Sequence, residues 1–160
     1  MADEDRGKAR EVALAYLASR ARSVQEVNRR LRQKGFSEAV TEAVVADLLR
    51  LRLLDDRAFA RIWVESRMRH RPMGSHRLVQ ELRGKGVDAA SIDEALAEHK
   101  AAVDSAEVAA GLLRRQAWRY AGVEEGKARS RMLGFLARRG YDHDTAASAV
   151  ARVLEELTPP

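Results

Sequence analysis

A six-residue phrase occurs three times in this chain and limits what it can fold into. Leu31-Arg-Gln-Lys-Gly35-Phe36 is answered by Leu82-Arg-Gly-Lys-Gly86-Val87 and again by Leu136-Ala-Arg-Arg-Gly140-Tyr141. In each, a cation, a glycine and an apolar residue follow one another. This is the grammar of a helix that stops on a left-handed glycine and lays the next side chain against its own last turn. Ser37, Asp88 and Asp142 come directly after, where a polar side chain caps a new helix. The glycines are 51 and 54 residues apart, close to the period of helical repeat arrays. The expected fold is therefore all-α, an elongated array of three tandem three-helix repeats at 9–54, 55–103 and 104–157, with about nine helices. No stretch alternates apolar and polar residues for long, and no Asn-Gly or Asp-Gly pair marks a hairpin.

The rest of the chain fits that frame. After a frayed start over residues 1–8, Val12, Ala13, Tyr16 and Leu17 mark a first helix, with Arg20 and Arg22 near its end. Ser23-Val24-Gln25-Glu26 reads as a capping box opening a second helix with Val24, Val27 and Leu31 inward. A third carries Val40, Val44, Val45, Leu48 and Leu49. In the second repeat Asp55 is placed as an N-cap, and Leu54 and Phe59 hold the positions of a hydrophobic staple. Phe59, Ile62, Trp63 and Ser66 then form the apolar or small face, opposite Arg57, Arg61 and Glu65. Pro72 ends that helix. Gly74 or Ser75 opens the next, whose buried stripe is Leu78, Val79 and Leu82, and Ile92, Ala95 and Leu96 follow beyond Asp88.

The third repeat starts with a helix over about residues 105–120 carrying Val108, Leu112 and Trp118. A second helix, over about 127–139, presents Met132, Leu133 and Leu136 inward, and a third presents Ala146, Ala149, Val150 and Val153. Thr158-Pro159-Pro160 reads as a tail. Gly134, inside the second of these helices, costs about 1 kcal/mol relative to alanine, so a close helix–helix approach is expected there.

The words Leu54-Asp55-Asp56, Phe59-Ala60, Arg67, Gly74 ahead of Glu81-Leu82, and Lys85-Gly86-Val87, in this order and spacing, resemble the RecX family of recombinase regulators. The resemblance is strongest over about residues 12–98. It implies a cytoplasmic bacterial protein of repeated three-helix units that binds RecA–DNA filaments and restrains their activity.

Charge supplies the means. From Arg57 to Lys85 eight cations stand against two anions, whereas Asp88 to Glu98 holds four anions and no cation. Basic charge thus gathers on the first two helices of a repeat and acidic charge on the third. The residues expected to contact filament or DNA form a basic track: Arg29, Arg30, Arg32 and Lys34, then Arg67, Arg69, Arg71, Arg77, Arg83 and Lys85, then Arg129, Arg131, Arg138 and Arg139. Arginine suits this work because its planar fork gives two parallel hydrogen bonds to a phosphate or carboxylate.

Other chemistries find no footing. With no cysteine, disulfides and thiolate metal sites are excluded. His70, His76, His99 and His143 share no ligand spacing, and Asp55-Asp56 reads as helix capping and not as a catalytic or metal pair. Trp63 falls on an apolar stripe and is assigned to the core. Trp118 stands beside Arg119 and Tyr120. No phosphate-binding glycine loop, dinucleotide fingerprint or nucleophile elbow is present.

The expectation is a monomeric, cytoplasmic regulator, not an enzyme, with no cofactor, no metal and no membrane segment. Its partner is the RecA nucleoprotein filament, with single- or double-stranded DNA as a further contact. It would hinder filament growth, ATP turnover, strand exchange and coprotease function from the filament groove. The alternatives are direct DNA binding through helix-turn-helix-like repeats, disfavoured by acidic third helices, and a protein adaptor whose basic track meets an acidic surface.

Overall fold

The computed structural model describes residues 2–158; Pro159 and Pro160 of the expected tail lie outside the described residues. In chain order the helices are α1 (Ala2–Ser19), α2 (Val24–Gln33), α3 (Glu38–Arg50), α4 (Asp56–His70), α5 (Ser75–Gly84), α6 (Ala89–Glu98), α7 (Lys100–Val103), α8 (Ala106–Arg114), α9 (Glu125–Arg138) and α10 (His143–Leu157). A 3-10 turn, Ala117–Arg119, separates α8 from α9. No strand occurs among the described residues. The nine longer helices fall in threes, with the single-turn α7 between α6 and α8.

Helix α1 starts far earlier than its frayed expectation. Asp3, Glu4 and Asp5 occupy its first turn, where carboxylates complement the exposed amides. Lys8 pairs with Glu4 one turn back at 2.6 Å, Arg6 pairs with Asp47 of α3, and Ala9 is fully buried.

The described residues pack as two compact units, 2–63 with 82–95 and 64–81 with 96–158. In the first, Ala9 and Ala13 of α1, Val27 and Leu31 of α2, and Val44, Val45 and Leu48 of α3 close a core over which Leu54 sits. In the second, Ala109, Ala110 and Leu113 of α8, Met132 and Leu136 of α9, and Ala149, Val150 and Val153 of α10 do the same, with Tyr120 and Tyr141 at the edge. Each fully buried leucine among these contributes about 1.5–3 kcal/mol.

The three expected glycine stops are present and alike. Gly35, Gly86 and Gly140 have φ of 88°, 77° and 85°. The amides of Phe36, Val87 and Tyr141 donate to the carbonyls of Leu31, Leu82 and Leu136 at 3.2, 3.1 and 3.1 Å, the pairing of a Schellman motif. Ser37, Asp88 and Asp142 cap as expected, accepting from the amides of Val40, Ser91 and Thr145.

Four expectations are corrected. On α4 the buried positions are Phe59, Ala60 and Val64, while Ile62 is 52% exposed and Ser66 is exposed. Leu49 is exposed at the end of α3. Helix α8 stops at Arg114, and the tighter 3-10 turn that follows leaves Trp118 exposed and puts Tyr120 in the core instead. Gly134 is not a close approach: a Cβ there would meet only the Arg138 guanidinium, at 3.3 Å. The tight approaches are at Gly74, Gly86 and Gly140.

Three outcomes follow for urea unfolding midpoints. Gly35→Ala, strained by φ alone with open space around it, costs about 1–2 kcal/mol. Gly140→Ala costs more, about 3 kcal/mol, since its Cβ would also lie 2.4 Å from the Arg77 amide nitrogen; equal losses would contradict the packing. Gly134→Ala instead raises stability by about 0.5–1 kcal/mol, the flexible Arg138 tip moving aside.

Candidate functional site

Local capping rules build the first of two junctions that position the basic side chains. The Ser23 hydroxyl accepts from the Glu26 amide at 3.2 Å, and the Ser23 amide donates back to Glu26 at 3.0 Å, completing the capping box of α2. The other oxygen of Glu26 accepts from Lys85, past the end of α5, at 2.9 Å and from Arg20 at 2.8 Å. The Lys85 ammonium lies 5.2 Å from the Trp63 ring centroid, and Trp63 stacks on Phe59 with centroids 5.7 Å apart. Beside them a Cβ on Gly86 would stand 2.7 Å from that of Gln25, so only glycine lets α5 end against the first turn of α2.

The two adjacent aspartates divide the capping between two helices. Asp55 accepts from the Ala58 amide of its own helix at 3.0 Å, whereas Asp56 reaches back to the Val24 amide of α2 at 2.9 Å. Burial pushes the Asp56 carboxyl up from its ordinary value, and Asp88, Asp55 and Glu26 add to that against the Val24 hydrogen bond. Burial acts on Glu26 too, but the Lys85, Ser23 and Arg20 hydrogen bonds outweigh it and hold that carboxyl below its ordinary value.

The second junction joins the start of α5 to the end of α9. The Gly74 amide donates to the Arg139 carbonyl at 2.9 Å and the His76 amide to the Gly140 carbonyl at 3.2 Å. A Cβ on Gly74 would lie 2.2 Å from the Gly140 oxygen. Carbonyls from the end of one helix thus satisfy unpaired amides at the start of another. Around this junction Arg71, Met73, Arg77, Glu81, Phe135, Arg138 and Arg139 line a concavity of about 240 Å³. Glu81 is held by Arg67 at 2.8 Å, and the Arg139 guanidinium lies 5.2 Å from the Phe135 ring centroid.

The expected basic track resolves into engaged and unengaged cations. Arg32 pairs with Glu38, Arg67 with Glu81, Arg69 with Glu65, Lys85 with Glu26 and Arg129 with Glu125. Arg30 is half-buried against the Tyr16 ring, 5.5 Å from its centroid. Arg29, Lys34 and Arg83 of the first unit, and Arg71, Arg77, Arg131 and Arg138 of the second, are exposed and make no ion pair among the described residues. Arg29, Arg30 and Lys85 share a concavity of about 160 Å³ with Tyr16, Gln25 and Glu26. Arg129 and Arg131 line neither basic concavity.

One surface escaped the sequence reading. In the first unit Leu14, Leu17, Leu53, Phe59 and Ile62 line a groove of about 420 Å³, with Arg22 and Arg52 at its edge. Leu14, Leu53 and Ile62 are 37%, 49% and 52% exposed. The signal was Leu51-Arg52-Leu53-Leu54, more apolar than a connection between helices needs. Among the described residues no group of three metal-ligating side chains forms, and no helix is long and apolar enough to cross a membrane.

These features define an all-α protein of three-helix repeats with basic and apolar concave surfaces. Comparison with known proteins makes the class specific. The model for the first three-helix domain of RecX matches residues 9–48, and that for the second matches residues 55–96. The chain is 38% identical over 152 residues to the regulatory protein RecX of Amycolatopsis mediterranei, covering 93% of this chain and 85% of that one. With the regulatory protein RecX of Prosthecochloris aestuarii it shares 36% identity over 157 residues, 98% of each chain. The crystal structure of RecX from Lactobacillus salivarius has the same fold, with a TM-score of 0.82 at 23% identity over 97% of both chains. The chain belongs to the RecX family of regulatory proteins.

Glu26→Gln tests the first junction. It keeps the shape but removes the charge that Lys85, Arg20 and the capping box share, and at pH 7 it lowers stability by about 1–2 kcal/mol. Because the folded carboxyl titrates below its ordinary 4.5, the contribution is fully present above pH 4.5 and disappears as pH falls through the lower folded value. Parent and variant therefore converge in urea midpoint below pH 4.5; a constant gap would show that charge is not the cause.

Proposed function

We propose that this chain regulates RecA by binding RecA–DNA filaments and restraining filament growth, ATP turnover, strand exchange and coprotease activity. Membership of the RecX family supports the regulatory role. The observation that carries the choice of a protein partner is the apolar groove of the first unit, where Leu14, Leu53 and Ile62 stand exposed together. A surface of that kind is stabilised by another protein and gains little from a phosphate backbone. The exposed, unengaged cations of the two basic concavities, Arg29 in the first unit and Arg71, Arg77 and Arg138 in the second, supply charge for the acidic or DNA-bearing faces of the same filament. The paired ones, Lys85 above all, hold helices in place.

Direct DNA binding through the third helices finds less support. Helix α6 carries Asp93, Glu94 and Glu98 and no cation, while Ile92 and Ala95 are buried. Such a helix is repelled by a phosphate-lined groove. On the favoured reading the protein acts as a cytoplasmic monomer without a cofactor.

The test is ATP hydrolysis by RecA from the same organism on single-stranded DNA, titrated with this protein from well below one copy per RecA. Inhibition at substoichiometric amounts, unrelieved by excess DNA, is the expected result. Inhibition only at amounts that coat the DNA, and relieved by more DNA, would replace this reading with direct DNA binding. In the same assay Leu53→Glu with Ile62→Glu raises the amount needed for half-inhibition at least tenfold while circular dichroism stays unchanged. Unaltered inhibition by that folded variant would remove the groove from the interface.

A further inference from the structure

We infer that the arginine-lined concavity of the second unit is a phosphodiester-binding site that grips the backbone of a nucleic acid strand without reading its bases. The inference deepens the filament reading, on which it rests, by assigning its DNA contact to this unit. Four arginines, Arg71, Arg77, Arg138 and Arg139, line one concavity with a single acidic residue, Glu81, whose carboxylate Arg67 already engages. Arg71, Arg77 and Arg138 are exposed and retain their forks for an external acceptor. Their donors match phosphate oxygens in pairs.

At the start of α5 the Gly74 and His76 amides are taken by the carbonyls of Arg139 and Gly140, and the arginine side chains around them carry the site's full positive charges. Base stacking finds no free platform here: the one aromatic ring in the wall, Phe135, is already covered by the Arg139 guanidinium. What remains is charge and fork geometry directed at the backbone, the sequence-independent mode of nucleic-acid binding.

Binding of the full chain to fluorescein-labelled oligo(dT), followed by anisotropy over a series of salt concentrations, tests the site. Arg77→Gln with Arg138→Gln removes two exposed forks that make no ion pair, so the fold does not depend on them; helicity and urea midpoint are checked for both variants. Arg129→Gln with Arg131→Gln removes the same charge from outside the concavity. The concavity pair is expected to weaken binding about tenfold or more at low salt and to flatten the slope of log K against log salt by about 0.7 for each phosphate no longer neutralised. The outer pair leaves that slope within error of the parent.

An unchanged slope in the concavity pair, or an equal fall in both pairs, overturns the site. So does displacement of oligo(dT) from the parent by polyglutamate as readily as by unlabelled oligo(dT), which would assign the concavity to an acidic protein surface. RecA inhibition measured in parallel separates the two readings. A folded concavity variant that inhibits RecA with an unchanged DNA slope sinks the phosphate site alone, whereas a parent that binds oligo(dT) through the concavity but never inhibits RecA sinks the regulatory reading alone.

Discussion

Helix α9 ends directly against the beginning of α5, backbone on backbone, and the basic surface of the second unit depends on that junction. Two glycines make it possible. At Gly74 any side chain would overlap the Gly140 carbonyl, and at Gly140 any side chain would overlap the Arg77 backbone. The close approach lets carbonyls at the end of one helix accept from amides at the start of another, so groups that would otherwise need water or a capping side chain satisfy each other. Arg71 and Arg77 flank one partner, and Arg138 and Arg139 end the other. A distance of about 60 residues along the chain becomes one wall of cations. The end of α5 repeats the device at Gly86 against Gln25, with Lys85 and Glu26 as its ionic complement.

Charge plays two separable roles in this molecule. Pairs on open surface, such as Arg69 with Glu65 and Arg129 with Glu125, are worth about 0–1 kcal/mol each and do little for the fold, which rests on the buried leucines and valines of two cores. Half-buried groups matter more. The Glu26 side chain is only 12% exposed, and it holds a serine cap, a lysine and an arginine at once. Cations that find no carboxylate remain available to a partner. The division between these roles is set by three-dimensional neighbours and not by residue type.

That distinction explains what the sequence made legible. Helix stops at Gly35, Gly86 and Gly140 and caps at Ser23, Ser37, Asp55, Asp88 and Asp142 depend on hydrogen bonds within a few residues, so local spacing revealed them. The fold class and the RecX family followed. Whatever depends on a distant neighbour was hidden. Asp56 looked like a second cap for α4, yet its partner is the Val24 amide, 32 residues earlier. Helix α1 looked frayed because Asp47, which anchors Arg6, lies 41 residues away. Gly134 stands out in the sequence by its place inside a helix, while the close approach is at Gly140, whose role as a helix stop accounts for a glycine locally and hides the packing. The basic cluster was visible as composition, but which cations were spent on Glu26, Glu38 or Glu81 was not. The exposure of Ile62 and Leu53 is not legible in the sequence, since periodicity reports that a residue is apolar and not what covers it.

Hydrogen exchange of the Gly74 and His76 amides, followed residue by residue in solution, tests the central junction most directly. These amides lie at a helix start, where amides ordinarily exchange within the first turn's fraying. If the α9 carbonyls hold them, both exchange as slowly as Leu78 and Leu82 within α5. Exchange at the rate of an open loop, with α5 itself protected, would contradict the account, because the junction that brings the arginines together would not be closed in solution.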